Sequence, residues 1–474
     1  MTTTAPLAAA PRALGPAQIW LTLIVVLLAD AMDLIDSTIT NVAAPSVVAD
    51  LHADASLIKW LGAAYALALG SLLVLGGRIG DRFGQRRTFL IGMAGFVLAS
   101  AAAGLALDPA LLIVARAAQG VFGALLIPQG MAIMTATFPK PALQKAFSVF
   151  APMLGVFAVG GPLLGGVLID ADLFGLQWRP IFLINIVLGG IAFALALKFL
   201  PNVPAQRDVR IDAWGSVLLA LSLFGILFGL ITGSTDGWTA LPIASAALGV
   251  VLFAAFAWRQ ARSDQPLLAR SLLANRGFSS GLVMGLLVFA GFSGLMYVIS
   301  LYLQLSLHYS PTQTSLSLIP LTVGIIGGSG VSAALLGRLG RKMVVAGLVT
   351  TIVGTAAMLV IVNTAGAGVQ WWQNAIATFI IGLGAGICFS TIFNTALGDV
   401  EPHEAGAASG SLTAVQQVAN GVGSALVTSL FLGSVAEGGV QAMTLTLVVI
   451  LCLVGACLLA VPLLPRQAAE EVFD

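Results

Sequence analysis

The sequence predicts an all-α polytopic membrane protein, and three observations carry that prediction. Only 9% of the 474 residues are charged, whereas 58% are hydrophobic. Mean hydropathy is +1.02. The apolar stretches are continuous and about 20 residues long, the length of a membrane-spanning helix. A soluble domain is about 25% charged, so this composition cannot cover a water-facing surface. Helices close their own backbone hydrogen bonds in lipid. The absence of polar–apolar alternation argues against a β-barrel.

Fourteen apolar segments follow in order. Span 1 (18–46) comes after a Thr/Ala/Pro-rich tail that lacks the apolar core and cleavage pattern of a signal peptide. Span 2 (56–77) runs into Arg78, Arg82, Arg86 and Arg87. Spans 3 (87–106) and 4 (110–136) lead to Lys140 and Lys145. Spans 5 (144–170) and 6 (178–199) lead to Lys198, Arg207 and Arg210. Spans 7 (212–232) and 8 (239–258) end at Arg259, Arg262, Arg270 and Arg276. Spans 9 (277–306) and 10 (311–335) end at Arg338, Arg341 and Lys342. Spans 11 (343–363), 12 (371–397), 13 (405–433) and 14 (440–464) complete the set. The basic clusters follow even-numbered spans, and the opposite loops hold only Lys59 and Arg179. By the positive-inside rule both termini are expected in the cytoplasm.

"GGRIGDRFGQRR" after span 2 has a shorter echo, "LGRLGRK", after span 10. The echo suggests two parallel six-helix halves with spans 7 and 8 inserted between them, a known transporter plan. The expected units are a cytoplasmic tail (1–17), a first six-helix bundle (18–199), a linker with two additional central transmembrane helices (200–276), a second six-helix bundle (277–464) and a cytoplasmic tail (465–474).

Four stretches carry chemistry. In "GGRIGDRFGQRR", Gly77, Gly80 and Gly84 allow a tight turn and close helix approach. Asp81 can cap or bridge a neighbouring helix, while Arg82, Arg86 and Arg87 stay at the lipid surface. In "RAAQGVFGA", Arg116 lies well inside an apolar segment, where a charge is costly and faces a partner or a cavity. In "GVFAVGGPLLGG", Pro162 removes a backbone hydrogen bond, and Gly161, Gly165 and Gly166 permit close packing. In "LADAMDLIDSTITN", Asp30, Asp33 and Asp36 spread over about 120° of one helix surface and could line a cavity. Depth along spans 1 and 4 makes Asp36–Arg116 a plausible ion pair.

These stretches resemble the major facilitator superfamily, specifically its fourteen-span drug:proton antiporter family. The match extends through Asp36, Thr38, Asn41 and Pro45 in span 1, "WRPIFLIN" (178–185), "IDAWG" (211–215) and "EAGAASGSLTAVQQVANGVGSA" (404–425). The resemblance implies a major facilitator fold. It implies that Arg116 serves proton coupling, that the 76–87 loop is a latch between rocking halves, and that the Gly161-Pro162 segment marks an antiporter. A static salt bridge at Arg116 and plain small-residue packing in span 5 are the structural alternatives. The family pattern requires only one Asp in span 1, so Asp30 and Asp33 are extras.

Three carboxylates this close cannot all stay ionised cheaply, whereas an arginine favours the charged form of one. A carboxylate that holds either a proton or a cationic cargo couples opposite fluxes. The expected function is proton-coupled antiport of amphipathic or lipophilic compounds, such as drugs, biocides or toxic metabolites, by alternating access across the cell membrane. The alternative is export or flipping of a lipid or endogenous metabolite on the same scaffold. Cavity candidates are Trp60, Tyr65, Gln129, Tyr297, Tyr302, Gln304, Asn394, Gln416, Gln417 and Asn420. Aromatics there could hold a lipophilic cation.

No nucleophile–base pair, metal-ligand spacing or Walker-type motif stands out, so neither an enzyme nor ATP drive is expected. Cys388, Cys452 and Cys457 fall in apolar runs, and His52, His308 and His403 are scattered. No cofactor is expected beyond the proton motive force. The expected partners are a small-molecule substrate, protons and the bilayer. A net charge of +1 gives no sign of nucleic-acid binding, and a monomer is expected.

Overall fold

The computed structural model describes residues 15–54, 56–139, 160–203, 212–263, 270–397 and 405–465, with single positions 142, 146, 153, 157, 205 and 400. Lys140, Lys145, Arg207, Arg210 and most of both predicted tails lie outside the described residues. The described elements are helical throughout. The first six are α1 (Pro16–Asp50), α2 (Ser56–Phe83), α3 (Gln85–Gly104), α4 (Pro109–Thr137), α5 (Gly160–Asp170) and α6 (Pro180–Phe199). Two more, α7 (Ala213–Asp236) and α8 (Ala240–Arg262), are followed by a single turn at Arg270–Ala274. The last six are α9 (Arg276–Leu301), α10 (Pro311–Leu339), α11 (Lys342–Ala365), α12 (Trp371–Leu397), α13 (Ala405–Ser434) and α14 (Gly439–Ala460).

Local sequence sets the ends. Asp108 caps α4 by accepting from the Leu111 N–H at 2.9 Å, and Pro109 occupies the first turn. Asn275 caps α9 through the Phe278 N–H at 3.1 Å. Gly84 makes the α2–α3 corner at φ 102°, a conformation that a side chain would strain.

Eleven of the described helices are long and apolar enough to cross a membrane, and α5 and α7 contribute shorter apolar stretches. α13 is as long but carries Gln416, Gln417 and Asn420 at its middle. Large apolar side chains such as Leu98, Val187, Leu248, Val251 and Val360 stand exposed on the helices. This outward apolar surface makes the chain a multi-pass membrane protein.

α1 packs on α2, α4 and α6, and α3 packs on α4 and α6. In the second set, α10 packs on α12, α11 on α12 and α14, and α9 on α12, α13 and α14. The sets meet mainly along α2–α13, with smaller seams at α1–α9 and α1–α10. α7 and α8 form an antiparallel pair, and α7 lies against both α2 and α13. The "IDAWG" stretch builds that pair. Asp212 caps α7 through the Gly215 N–H at 2.9 Å and pairs with Arg259 of α8 at 2.7 Å. Burial opposes the Asp212 charge. The hydrogen bonds from Arg259 and Gly215, with the Arg259 charge, nevertheless hold its carboxyl below the usual range.

Among the described residues the largest buried cluster joins the two sets of helices. Ile35, Ile39, Leu57 and Leu61 join Leu295, Val298 and Ile299 in a single buried cluster, at the end opposite the basic loops. Toward the basic loops two smaller clusters draw their buried members from one set each, with Ala414 of α13 packed against the first. One holds Val25, Leu73, Phe89 and Met93 of the first half, and another holds Leu272, Phe278 and Ala408 of the second.

Candidate functional site

The site grows from the middle of α1. Asp36 is fully buried and forms an ion pair with Arg116 of α4, which is also fully buried. Two buried ions in a low-dielectric interior cost several kcal/mol each unless every polar face is met. Here most faces are met. Asp36 Oδ1 accepts from Gln119 and Asn185, each at 2.8 Å. Gln119 and Asn185 also donate to Ser100 of α3, at 2.8 and 3.3 Å. Arg116 donates to Gln119 Oε1 at 3.0 Å, and through Nε to the Leu61 carbonyl of α2 at 2.9 Å. Its guanidinium lies 4.6 Å from the Tyr65 ring centroid and 5.7 Å from that of Phe182. Arg116 Nη2 and Asn185 Oδ1 remain without partners. The ion pair, with Gln119 and Asn185 reaching on to Ser100, thus ties together α1, α2, α3, α4 and α6.

Asp33 stands one turn nearer the basic end, 8% exposed, and accepts a hydrogen bond from the Tyr65 hydroxyl. Tyr65 therefore links Asp33 to the ion pair: its hydroxyl is on Asp33 and its ring beneath Arg116. Asp30, another turn along, is half-buried. Exposure falls from Asp30 through Asp33 to Asp36. Ser37 and Thr40 spend their hydroxyls on the backbone carbonyls of Leu34 and Ser37 rather than on the acids.

The other motif positions mark helix seams. A Cβ on Gly161 would lie 2.0 Å from Thr38 Oγ1, and one on Gly165 would meet Ile39 at 2.5 Å, so α5 sits directly on α1. Gly166 faces α10, where an added Cβ would lie 2.7 Å from Ser315 Oγ. Ser315 donates to the Pro162 carbonyl at 2.5 Å across the two halves. Asn41 gives its carbonyl to Ser300 of α9 at 3.1 Å, and Tyr297 of α9 donates to the Ile58 carbonyl of α2 at 2.8 Å. Pro45 lies inside α1.

Of the three glycines expected in a tight turn, only Gly84 makes one; Gly77 and Gly80 lie inside α2, because the helix runs on to Phe83, and they face α4. A Cβ on Gly80 would overlap Gln129, whose Nε2 donates to the Gly76 carbonyl at 2.9 Å. Gln129 therefore locks α4 to α2. Asp81 accepts from Gln85 at 3.4 Å, within its own corner. Arg82 lies over the Phe83 ring, and Arg87 is exposed. Arg86 donates to Asn202 at 3.1 Å and to the Leu197 carbonyl at 2.5 Å.

Of the cavity candidates, Tyr65 joins the charged network, and Tyr297 closes the α2–α9 seam. Trp60 packs against Phe228 of α7, centroids 5.9 Å apart. Tyr302 donates to the Gly366 carbonyl at 3.3 Å, and Gln304 to Ser300 at 3.2 Å. Asn394 is exposed and bonded to the Ser390 carbonyl of its own helix. Gln416, Gln417 and Asn420 are half-buried on α13, with Asn420 donating to Gln417 at 3.3 Å. Sequence reasoning missed Ser100, Gln119 and Asn185. Gln119 and Asn185 lay within the quoted segments "RAAQGVFGA" and "WRPIFLIN" without being singled out.

Comparison with known proteins agrees with this architecture. The chain is 40% identical over 429 residues to a probable actinorhodin transporter of Streptomyces coelicolor, covering 89% of this chain and 74% of that protein. It is 35% identical to a puromycin resistance protein of Streptomyces alboniger, covering 88% and 82%. It is 31% identical to a tetracenomycin C resistance and export protein of Streptomyces glaucescens, covering 88% and 77%. Among solved structures, an auto-inhibited POT family peptide transporter superposes with a TM-score of 0.69 at 16% identity, covering 96% of this chain and 98% of that one, which shows the shared fold. The Major Facilitator Superfamily model matches residues 26–424, and the chain belongs to that superfamily of membrane transporters.

Proposed function

We propose that this transporter is a proton-coupled antiporter of the cell membrane that exports amphipathic antibiotics or toxic metabolites. The observation that carries the reading is the buried Asp36–Arg116 pair, with Asp33 and Asp30 next to it at increasing exposure. Arg116 engages Asp36 and holds it in place. Asp33 is the exchangeable site, where a proton and a cationic or hydrogen-bonding cargo exclude each other. Tyr65 reports the state of Asp33 to Arg116. The antibiotic exporters and resistance proteins among its relatives support the cargo class.

With the basic loops in the cytoplasm, the hydrogen bonds of Tyr297, Ser300, Ser315 and Asp170 form an outer gate, closed in this conformation. The cargo path then faces the cytoplasm, on the side where Asp30 is most exposed. Asp81 bonds within its own corner, in keeping with a latch that engages the second half in the opposite conformation.

The test is proton flux in everted vesicles with a preset pH gradient. Puromycin, tetracenomycin C or a lipophilic cation such as ethidium should dissipate the gradient with the native protein. Asp33→Asn and Asp36→Asn should each abolish the response. Export that persists without a proton gradient, and in both variants, overturns the reading.

A further inference from the structure

We infer that the groove between α3 and α6 at the basic end of the first half is a binding site for one anionic phospholipid. The groove has a volume of about 530 Å³ and is lined by Arg86, Arg87, Leu90, Ile91, Ala94, Phe193 and Asn202. Its composition changes along its length as a phospholipid does. The two arginines and Asn202 form the mouth. Below them, Leu90, Ile91 and Ala94 on α3 and Phe193 on α6 form an apolar trough.

The trough opens to the acyl chains of the bilayer, since Ile91, Leu98, Ile191 and Leu197 of the same two helices are exposed. A free inorganic anion would have no use for that wall, and a zwitterionic headgroup would offer its cation to a rim already positive. Arg82 and Lys198 stand exposed at the same end of the bundle.

The mouth is preorganised. Asn202 and the Leu197 carbonyl fix the Arg86 guanidinium, at 3.1 and 2.5 Å. Arg87 is exposed beside it and supplies a second, movable cation. Arginine suits this task because its planar donors match a phosphodiester in two-point contact. Basic pockets between membrane helices hold anionic headgroups in the same manner. The headgroup would thus sit on the corner that joins α2 to α3, where Gly84 turns the chain. Its occupancy would bear on the loop between them.

The experiment uses purified full-length protein in detergent. Phosphatidylglycerol, phosphatidylcholine and sodium phosphate are added separately. Bound lipid is counted by native mass spectrometry, and melting temperature is measured in parallel. Phosphatidylglycerol should remain bound at one molecule per chain and raise the melting temperature. Phosphatidylcholine and inorganic phosphate should do neither. Arg87→Gln removes the exposed cation, and Ala94→Trp fills the trough without changing charge. Each should reduce the phosphatidylglycerol-bound fraction several-fold while the unliganded protein still melts cooperatively. Equal retention of phosphatidylcholine, an equal shift with inorganic phosphate, or native binding in both variants overturns the proposal.

Discussion

Asp170 of α5 caps a helix in the opposite half of the molecule: its carboxylate accepts from Ser310 Oγ at 2.7 Å and from the Thr312 N–H at 3.0 Å. Ser310 is already the N-cap of α10, in a capping box with Gln313. The acid therefore completes a helix terminus that is ready for negative charge. Losing it costs this contact between α5 and α10 about 1 kcal/mol, which in the proposed alternating-access cycle is roughly a five-fold shift toward the form with the contact broken. A cysteine at Ser315, in a background lacking the three native cysteines, reads the seam, since Ser315 is 2% exposed. Asp170→Ala should raise its labelling by an impermeant maleimide applied from outside. Asp170→Asn, whose amide oxygen still accepts, should raise it less. Unchanged labelling in Asp170→Ala would show that the contact holds nothing.

The Asp36–Arg116 network predicts an asymmetric mutational pattern. Arg116→Ala leaves the buried Asp36 carboxyl with Gln119 and Asn185 as its remaining donors among the described residues. Breaking one side of a buried pair costs about 3–5 kcal/mol. Arg116→Lys keeps the charge but loses the Nε bond to Leu61 and the planar stack on Tyr65. Its thermal stability should fall between native and Arg116→Ala. Arg116→Ala combined with Asp36→Asn should melt higher than Arg116→Ala alone. If the double variant is the least stable of the set, the pair is not the organising contact.

How much of this was legible in the sequence follows from what burial costs. Fourteen apolar segments and their basic flanks give the helix order, because lipid leaves the backbone no other solution. Asp36 and Arg116 stood out because an ion in an apolar run is expensive and has to find its opposite. Ser100, Gln119 and Asn185 did not, because a neutral hydroxyl or amide is cheaper to bury and common in membrane helices. The convergence of Gln119 and Asn185 on Asp36, with Ser100 accepting from both, depends on how α3, α4 and α6 rotate about their axes, which no single segment encodes. The same limit applies to Trp60. An aromatic residue at its depth suits a cavity as well as a helix seam, and the α7–α8 insertion places Phe228 against it. Gln129 was read as a cavity group for the same reason. Its true partner, the Gly76 carbonyl, is reachable only because glycines let α2 and α4 touch.

Gly160 and Gly161 are neighbours with opposite surroundings, which isolates the packing role of the α5 motif. A Cβ on Gly160 meets no described atom within 4 Å, whereas one on Gly161 lies 2.0 Å from Thr38 Oγ1 and 3.1 Å from the Ile35 carbonyl. Gly160→Ala should preserve transport and melting temperature. Gly161→Ala should push α5 off α1 and cost about 1–3 kcal/mol as an overpacked site. Transport should fall with it, because the same helix carries the Pro162 carbonyl bonded to Ser315. Similar behaviour of the two variants in a melting assay would exclude close α1–α5 contact.

The α7–α8 clasp carries a pH dependence of known sign. The Asp212 carboxyl is held below its usual range despite burial, chiefly by hydrogen bonds from Arg259 and the Gly215 N–H. A depressed acid contributes stability above its unfolded value, about 4, and loses it as pH falls through the lower folded value. Asp212→Ala removes both the helix cap and the pair, with the cap alone worth about 1 kcal/mol. The melting-temperature gap between native protein and Asp212→Ala should therefore stay constant from about pH 8 to pH 5. It should narrow below about pH 4, as protonation strips the native clasp of the charge that the variant already lacks. A gap that widens toward acid would mean that Asp212 is held neutral in the folded protein and that Arg259 is not its partner.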